Sequence, residues 1–314
     1  MGDTDADTTA TAVRSGETQY GLYDRLFAFR RARLAALLAP SSGLLVALLL
    51  APLSFMIAVS FARISDAYEI IWAPSASNYA ALFDGTPLWS TPFVQSLLLS
   101  IAVATATTAV CLVAAYPVAY ALVRRQRGRR IIVFLVLLPF FTMYLVRVYS
   151  WYLLFGDGGV LNDIAAALGF GSVGAFGFGV PAIVVGLAHA QFPYMLLTLY
   201  AGIDAVDFGL VEAARDLGAS RIEVFRDVLW PLTLPNVVAG SVFVFVPALG
   251  AFVAPQFLSG STVLMVGQLI AGRIDSYNIA SASAAATFVV VFVVAAFAVA
   301  VRYADIGVSA GGER

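Results

Sequence analysis

Apolar residues fill six long stretches of this chain, at about 37–61, 93–123, 131–155, 179–203, 236–258 and 279–302, with shorter polar segments between them. A hydrocarbon core of ~30 Å takes roughly 20 residues of helix. Lipid offers no partner to an open backbone N–H or C=O, so each stretch is expected to be a helix whose hydrogen bonds close within it. The pattern predicts an all-α membrane protein with six transmembrane helices. Residues 1–33 form a polar tail that turns basic at Arg25, Arg30, Arg31 and Arg33; 34–303 is the membrane domain and 304–314 a polar C-terminal tail. The first apolar stretch is longer and starts later than the core of a signal peptide, which favours a retained span.

Prolines fall inside several spans, at Pro40, Pro52, Pro117, Pro139, Pro193 and Pro247. Each removes one intrahelical bond and is expected to kink its helix, either as fixed shape or as a hinge.

Composition agrees with the pattern. Hydrophobic residues make up 61% of the chain and charged ones 12%, against roughly a quarter charged in soluble domains. A net charge of −1 gives no field for nucleic acid. There is one cysteine, Cys111, and one histidine, His189, so neither an internal disulfide nor a histidine–cysteine metal cluster is expected. Every basic residue is arginine, and without lysine no phosphate-binding GxxxxGK[ST] loop exists. Catalytic residues, metals and cofactors are therefore not expected in this chain.

The arginines also orient the spans. They crowd the N-terminal segment, the loop of Arg124, Arg125, Arg127, Arg129 and Arg130, the loop of Arg215, Arg221 and Arg226, and the tail of Arg302 and Arg314. The alternate loops hold only Arg63 and Arg273. The positive-inside rule then puts both termini in the cytoplasm of a multi-pass cell-membrane protein.

Residues 207–235, DFGLVEAARDLGASRIEVFRDVLWPLTLP, lie in one of those inward loops, between spans four and five. Gly218 stands where a left-handed helix cap is expected. Ser220 and Glu223 have capping-box spacing, opening a second helix. Ile222, Phe225 and Val228/Leu229 recur as one apolar face, and Pro231 and Pro235 are expected to end that helix. Such a hairpin suits either the membrane surface or a groove on a partner.

The spacing Glu212-Ala213-Ala214, Gly218, Val228 and Pro231 resembles the cytoplasmic signature of type I ABC-importer permeases. That family carries isoleucine at the Val228 position and leucine at the Trp230 position. The resemblance implies the type I permease fold, with the hairpin as a coupling helix pair seated in an ATPase subunit. It makes Glu212, Ala213, Ala214, Gly218 and Pro231 the coupling residues. It further implies two ABC ATPase subunits that bind ATP and Mg, a second homologous and non-identical permease, and an external substrate-binding protein. The segments LPFFTMYLVRVYSW (138–151) and PALGAFVAPQFLSG (247–260) resemble the permeases for spermidine and putrescine. Permeases for thiamine, ferric iron, sulfate and aminoethylphosphonate share much of the pattern.

A polycation path would use aromatic faces and carboxylates. Tyr144, Arg147, Trp151, Tyr152 and Asp157 are the candidate translocation residues, with Tyr144, Tyr152 and Phe155 at helical spacing. The same aromatics also suit packing or an interfacial belt. Arg147 would repel a cation unless paired, and would attract an anion. His189 reads as a packed neutral side chain or a proton relay. An ion-coupled secondary transporter would instead show acids near the midplane and internal repeats; the acids here sit at loop edges, at Asp157, Asp204 and Asp207.

Overall fold

The computed structural model describes residues 38–311 apart from 66–67, 86, 126, 157–158, 170–176 and 261–262. The polar tail 1–33 and Asp157 thus lie outside the described residues. The described residues fall into two units that divide after Ala58.

The first unit is most of α1, Leu38–Ser60, a 23-residue helix apolar on every side. Its few hydroxyls are satisfied locally: Ser42 Oγ donates to the Leu38 carbonyl at 2.7 Å and Ser54 Oγ to the Ala51 carbonyl at 2.9 Å. Back-bonding of this kind hides a polar group inside an apolar helix.

The second unit begins with the end of that helix. The Asn78 amide donates to the carbonyls of Ser60 and Ala62, at 2.9 and 2.7 Å, and so caps the chain as it leaves α1. A short antiparallel pair follows, β1 (Arg63–Ile64) with β2 (Ile70–Ile71), and then α2 (Ser77–Leu82).

Three long helices form the centre: α3 (Pro92–Arg124), α7 (Val180–Asp204) and α10 (Trp230–Leu249). Thr91 caps α3, its Oγ1 accepting from the Val94 amide, with Pro92 in the first turn where its missing N–H costs nothing. The helices meet through small residues. Ala115 and Ala119 of α3 are fully buried against Leu196 and Leu199 of α7 and Val244 of α10. Gly202 of α7 lies so close to Asn236 of α10 that a Cβ there would stand 2.3 Å from the Asn236 Cγ. Apolar side chains gain little by leaving lipid for one another, so close approach of backbones is what holds such helices.

The third apolar stretch is not one straight helix. α4 (Arg129–Leu137) passes through a 3₁₀ turn, Leu138–Phe141, and restarts as α5 (Tyr144–Phe155) and α6 (Val160–Ala167). The two halves are bent by 89°. Pro139 opens the 3₁₀ turn, and Thr142 is extended, so the α ladder cannot cross. Among the described residues five helices are long and apolar enough to span, and the bent pair, taken as one span, brings the number to six.

The fifth stretch also differs from expectation. α9 (Arg221–Val224) does not stop at the prolines; it runs through a π turn, Phe225–Leu229, straight into α10. The Trp230 amide reaches back five residues to the Phe225 carbonyl. That wider turn lets the helix continue through Pro231, which has no N–H to place. α10 ends at Leu249, earlier than the expected 258, and α11 (Val253–Leu258) follows a break at Gly250.

A helix not anticipated from the sequence, α12 (Val266–Asp275), occupies the next loop. Its first amide, Val266 N–H, is buried and donates to Ser100 Oγ of α3 at 2.8 Å. Burial of the Arg273 guanidinium on this helix lowers its pKa from the ordinary arginine value, and its Nη1 donates to the Ser281 carbonyl. The last helix, α13 (Ile279–Gly311), continues past 303 into the expected C-terminal tail.

Candidate functional site

The hairpin between α7 and α10 follows from local chemistry. Asp207 caps α8 (Phe208–Asp216), its Oδ1 accepting from the Gly209 amide at 2.9 Å. At the other end the Ala219 amide reaches the Ala214 carbonyl across Gly218, whose φ is +90°. This is a Schellman closure, and only glycine takes that φ without strain. Ser220 and Glu223 complete a capping box: the Ser220 amide donates to Glu223 Oε2 at 2.7 Å, and the Glu223 amide to Ser220 Oγ at 3.3 Å. Helix, turn and second helix stand as their residues dictate.

The apolar face does not. Val224 and Leu229, with Val211 of α8, are the buried residues, and Val228 and Ala214 pack beside them. Ile222 is 77% exposed and Phe225 is also exposed. The π turn adds a residue to one turn, so Leu229 rather than Val228 alone falls in register with Val224. Of the face expected from Ile222 and Phe225, Ile222 is left uncovered and Phe225 turns to the Tyr116 and Trp230 rings.

Glu212 and Ala213 point away from this small core and are exposed, Ala214 is half-buried against it, Gly218 lies in the exposed turn, and Pro231 is exposed at the start of α10.

Beneath the hairpin is a buried polar relay that the sequence reading missed. Thr233 Oγ1 donates to the Leu229 carbonyl at 2.8 Å, so Tyr116 O–H must donate to Thr233 Oγ1, 3.0 Å away. Tyr116 also meets Phe225 edge-on at 5.3 Å. The relay ties α3 to the π turn. Removing its parts should be unequal: Tyr116→Phe is expected to cost about 1 kcal/mol, whereas Thr233→Val strands a buried hydroxyl and should cost about 1–3 kcal/mol. Unfolding midpoints of the two variants in detergent check the order.

The path candidates split into three settings. Tyr144 and Arg147 line a cavity of about 510 Å³ with Gln191, Tyr194 and Pro247. Two nitrogens of Arg147, Nε and Nη1, are buried without a hydrogen-bond partner among the described residues. Trp151 instead faces α7, its Nε1–H donating to His189 Nδ1 at 3.2 Å. A histidine accepting at Nδ1 is neutral, which fits the packed reading. Tyr152 turns the other way, stacking on Tyr149 at 5.6 Å and meeting Phe178 at 5.3 Å. The residues that share a face of α5 are Tyr144, Val148, Trp151 and Phe155, not Tyr144, Tyr152 and Phe155. Gln191 and Tyr194, one helix away, had no signal beyond being polar within an apolar stretch.

The model of the family described as binding-protein-dependent transport system inner membrane component matches residues 112–306. The spermidine/putrescine transport system permease protein PotB of Escherichia coli (strain K12) is 34% identical over 230 residues, 73% of this chain and 82% of that protein. PotB of Haemophilus influenzae is 34% identical over 228 residues, 72% and 78% of the two chains. A chain of a bacterial alginate ABC transporter, solved with an alginate pentasaccharide-bound periplasmic protein, superposes with a TM-score of 0.66. That superposition covers 86% of this chain and 93% of the other at 14% identity, and is a likeness of fold. A multi-span fold of this kind and a family match running from α3 through the hairpin into α13 lead to one conclusion: the chain belongs to the binding-protein-dependent transport system inner membrane components, the permease subunits of ABC importers, and is not itself an enzyme.

Proposed function

We propose that this permease carries a polyamine, spermidine or putrescine, by alternating access that a separate ATPase drives. The observation that supports the drive is the capped hairpin at 207–235, whose Glu212 and Ala213 are exposed and whose second helix is continuous with α10. A rigid connection of this kind passes motion from a partner groove to a span with little loss. In this reading both termini are cytoplasmic, and each hairpin of a non-identical permease pair sits on one of two ATPase subunits that hold ATP and Mg. An external binding protein delivers the cargo. ATP does work here only through contacts that differ between the inward and outward states.

Support for a polyamine is the 34% identity to PotB proteins. The rings of Tyr149, Tyr152, Phe178 and Phe257, centroids 5.3–6.2 Å apart, offer faces to an ammonium group. The candidate path runs from these rings to the Tyr144–Arg147 cavity.

Arg147 favours a second reading, an anionic cargo such as sulfate or aminoethylphosphonate, because this cationic residue lines the cavity and two of its guanidinium nitrogens have no hydrogen-bond partner among the described residues. One variant separates the two. At an effective dielectric of ~20, a unit charge about 8 Å away is worth ~2 kcal/mol, over tenfold in affinity. Arg147→Gln in the whole transporter should therefore lower the KM for spermidine uptake if the cargo is a cation. A raised KM for an anion, with no spermidine uptake in the wild type, establishes the second reading instead. Calorimetry of the cognate external receptor with spermidine, putrescine, thiamine, ferric iron, sulfate and aminoethylphosphonate fixes the cargo independently.

A further inference from the structure

We propose that the groove between α3 and the hairpin is a binding site for an anionic phospholipid. It encloses about 640 Å³, and its wall and floor are apolar or aromatic: Val113 and Pro117 of α3, Phe225 of the π turn, and Trp230. Two arginines stand among its lining residues, Arg215 of α8 and Arg221 of α9. Both are exposed, and neither belongs to the ion pairs found among the described residues, Arg129–Asp204 and Arg226–Asp227.

The dimensions select a lipid. α3 ends at Arg124, in a run of arginines that marks the headgroup level. Val113 lies eleven residues before it, roughly 16 Å deeper at about 1.5 Å per residue, and is 74% exposed. That depth is about half of a ~30 Å hydrocarbon core. A groove that is cationic at the headgroup level and apolar down one leaflet complements a phosphate carrying an acyl chain. A small soluble anion leaves the apolar wall uncovered. An extended peptide strands its backbone polar groups at that depth.

Because Arg215 and Arg221 sit on opposite helices of the hairpin, one phosphate between them fastens α8 to α9. The acyl chain packs on Phe225 and so braces the π turn through which the hairpin moves α10. Lipid occupancy is thus a condition on the position of the lever, and it does not depend on which cargo is carried.

The test uses the full-length chain with Trp72, Trp89 and Trp151 replaced by phenylalanine, leaving Trp230 as the fluorophore, in phosphatidylcholine vesicles. Acyl-brominated phosphatidylglycerol, at about a tenth of the lipid, should quench Trp230 about threefold more than the same fraction of brominated phosphatidylcholine. Arg215→Gln/Arg221→Gln should remove the difference. Equal quenching by the two lipids overturns the site in favour of ordinary annular lipid. No quenching by either overturns it in favour of a protein segment closing the groove. Native mass spectrometry of the chain with all four tryptophans gives an independent reading: the arginine pair should retain one phosphatidylglycerol more than the double variant, and equal retention contradicts the proposal.

Discussion

Gly218→Val is expected to uncouple the transporter while leaving its membrane domain folded. Gly218 sits at φ +90°, a conformation that costs a residue with a Cβ about 1–2 kcal/mol and a β-branched one more. Beyond its chain neighbours, no atom of the described residues lies within 4 Å of where that Cβ would be, so the penalty is in the backbone. It falls on the Schellman turn between α8 and α9, and the turn is what holds Glu212 at a fixed angle to α10. ATP hydrolysis stimulated by the loaded binding protein should fall by about tenfold or more, since ~1.4 kcal/mol of misplacement is already a factor of ten. The melting temperature of the spans should hardly move, because the buried residues of their core clusters include none from α8 or α9, and of these two helices only Phe208 packs against one of them among the described residues. Gly218→Asn should sit between the two, as asparagine tolerates a left-handed backbone. A Val variant with normal stimulation removes the turn from the mechanism.

Gly202→Leu should do the reverse, damaging the fold before the coupling. Its Cβ would stand 2.3 Å from Asn236 Cγ and 2.5 Å from Asn236 Cβ, atoms too near the α10 backbone to swing aside. α7 and α10 must then separate, and the Asn236 amide loses its 3.2 Å bond to the Thr198 carbonyl. Overpacking alone costs about 1–3 kcal/mol, and the stranded amide adds about 1–3 kcal/mol. Thermal unfolding in detergent measures this. Gly202→Ala should show a smaller loss in the same direction, and an unchanged midpoint for both would mean the helices are not in contact there.

How much was legible in the sequence differs by kind of signal. Helix caps are local chemistry, so Gly218, Ser220 and Glu223 announced the hairpin with its turn and its capping box. Span existence was legible too, because run length is a direct measure against bilayer thickness. The 89° bend after Pro139 was not, since both halves are equally apolar and hydropathy carries no direction. The π turn was hidden for a related reason. Pro231 and Pro235 normally stop a helix, and only the five-residue bond from Trp230 to Phe225 shows how this one passes the first of them. That same turn moved the buried face from Ile222 to Val224 and Leu229. On α5, counting at about 100° per residue puts Tyr152 some 80° from Tyr144, while Val148, Trp151 and Phe155 stay within about 40° of it; the aromatic residues suggested a single stripe where there are two. Relations between distant segments left no trace at all. Tyr116 with Thr233, and Arg147 with Gln191, are polar residues in apolar runs until the helices are packed.

Cross-linking from the hairpin turn is the most direct examination of the lever. Cys111 is buried, so after Cys111→Ala a cysteine at Leu217, which is 89% exposed, is the sole reactive thiol. In the assembled transporter, a short bifunctional maleimide–amine reagent on Leu217→Cys should join this chain to the ATP-hydrolysing subunit, in a yield that changes when ATP binds. Attachment to the external binding protein, or labelling of that cysteine by a membrane-impermeant reagent in intact cells, would put the hairpin on the wrong side of the membrane and end the proposal that an ATPase moves these spans.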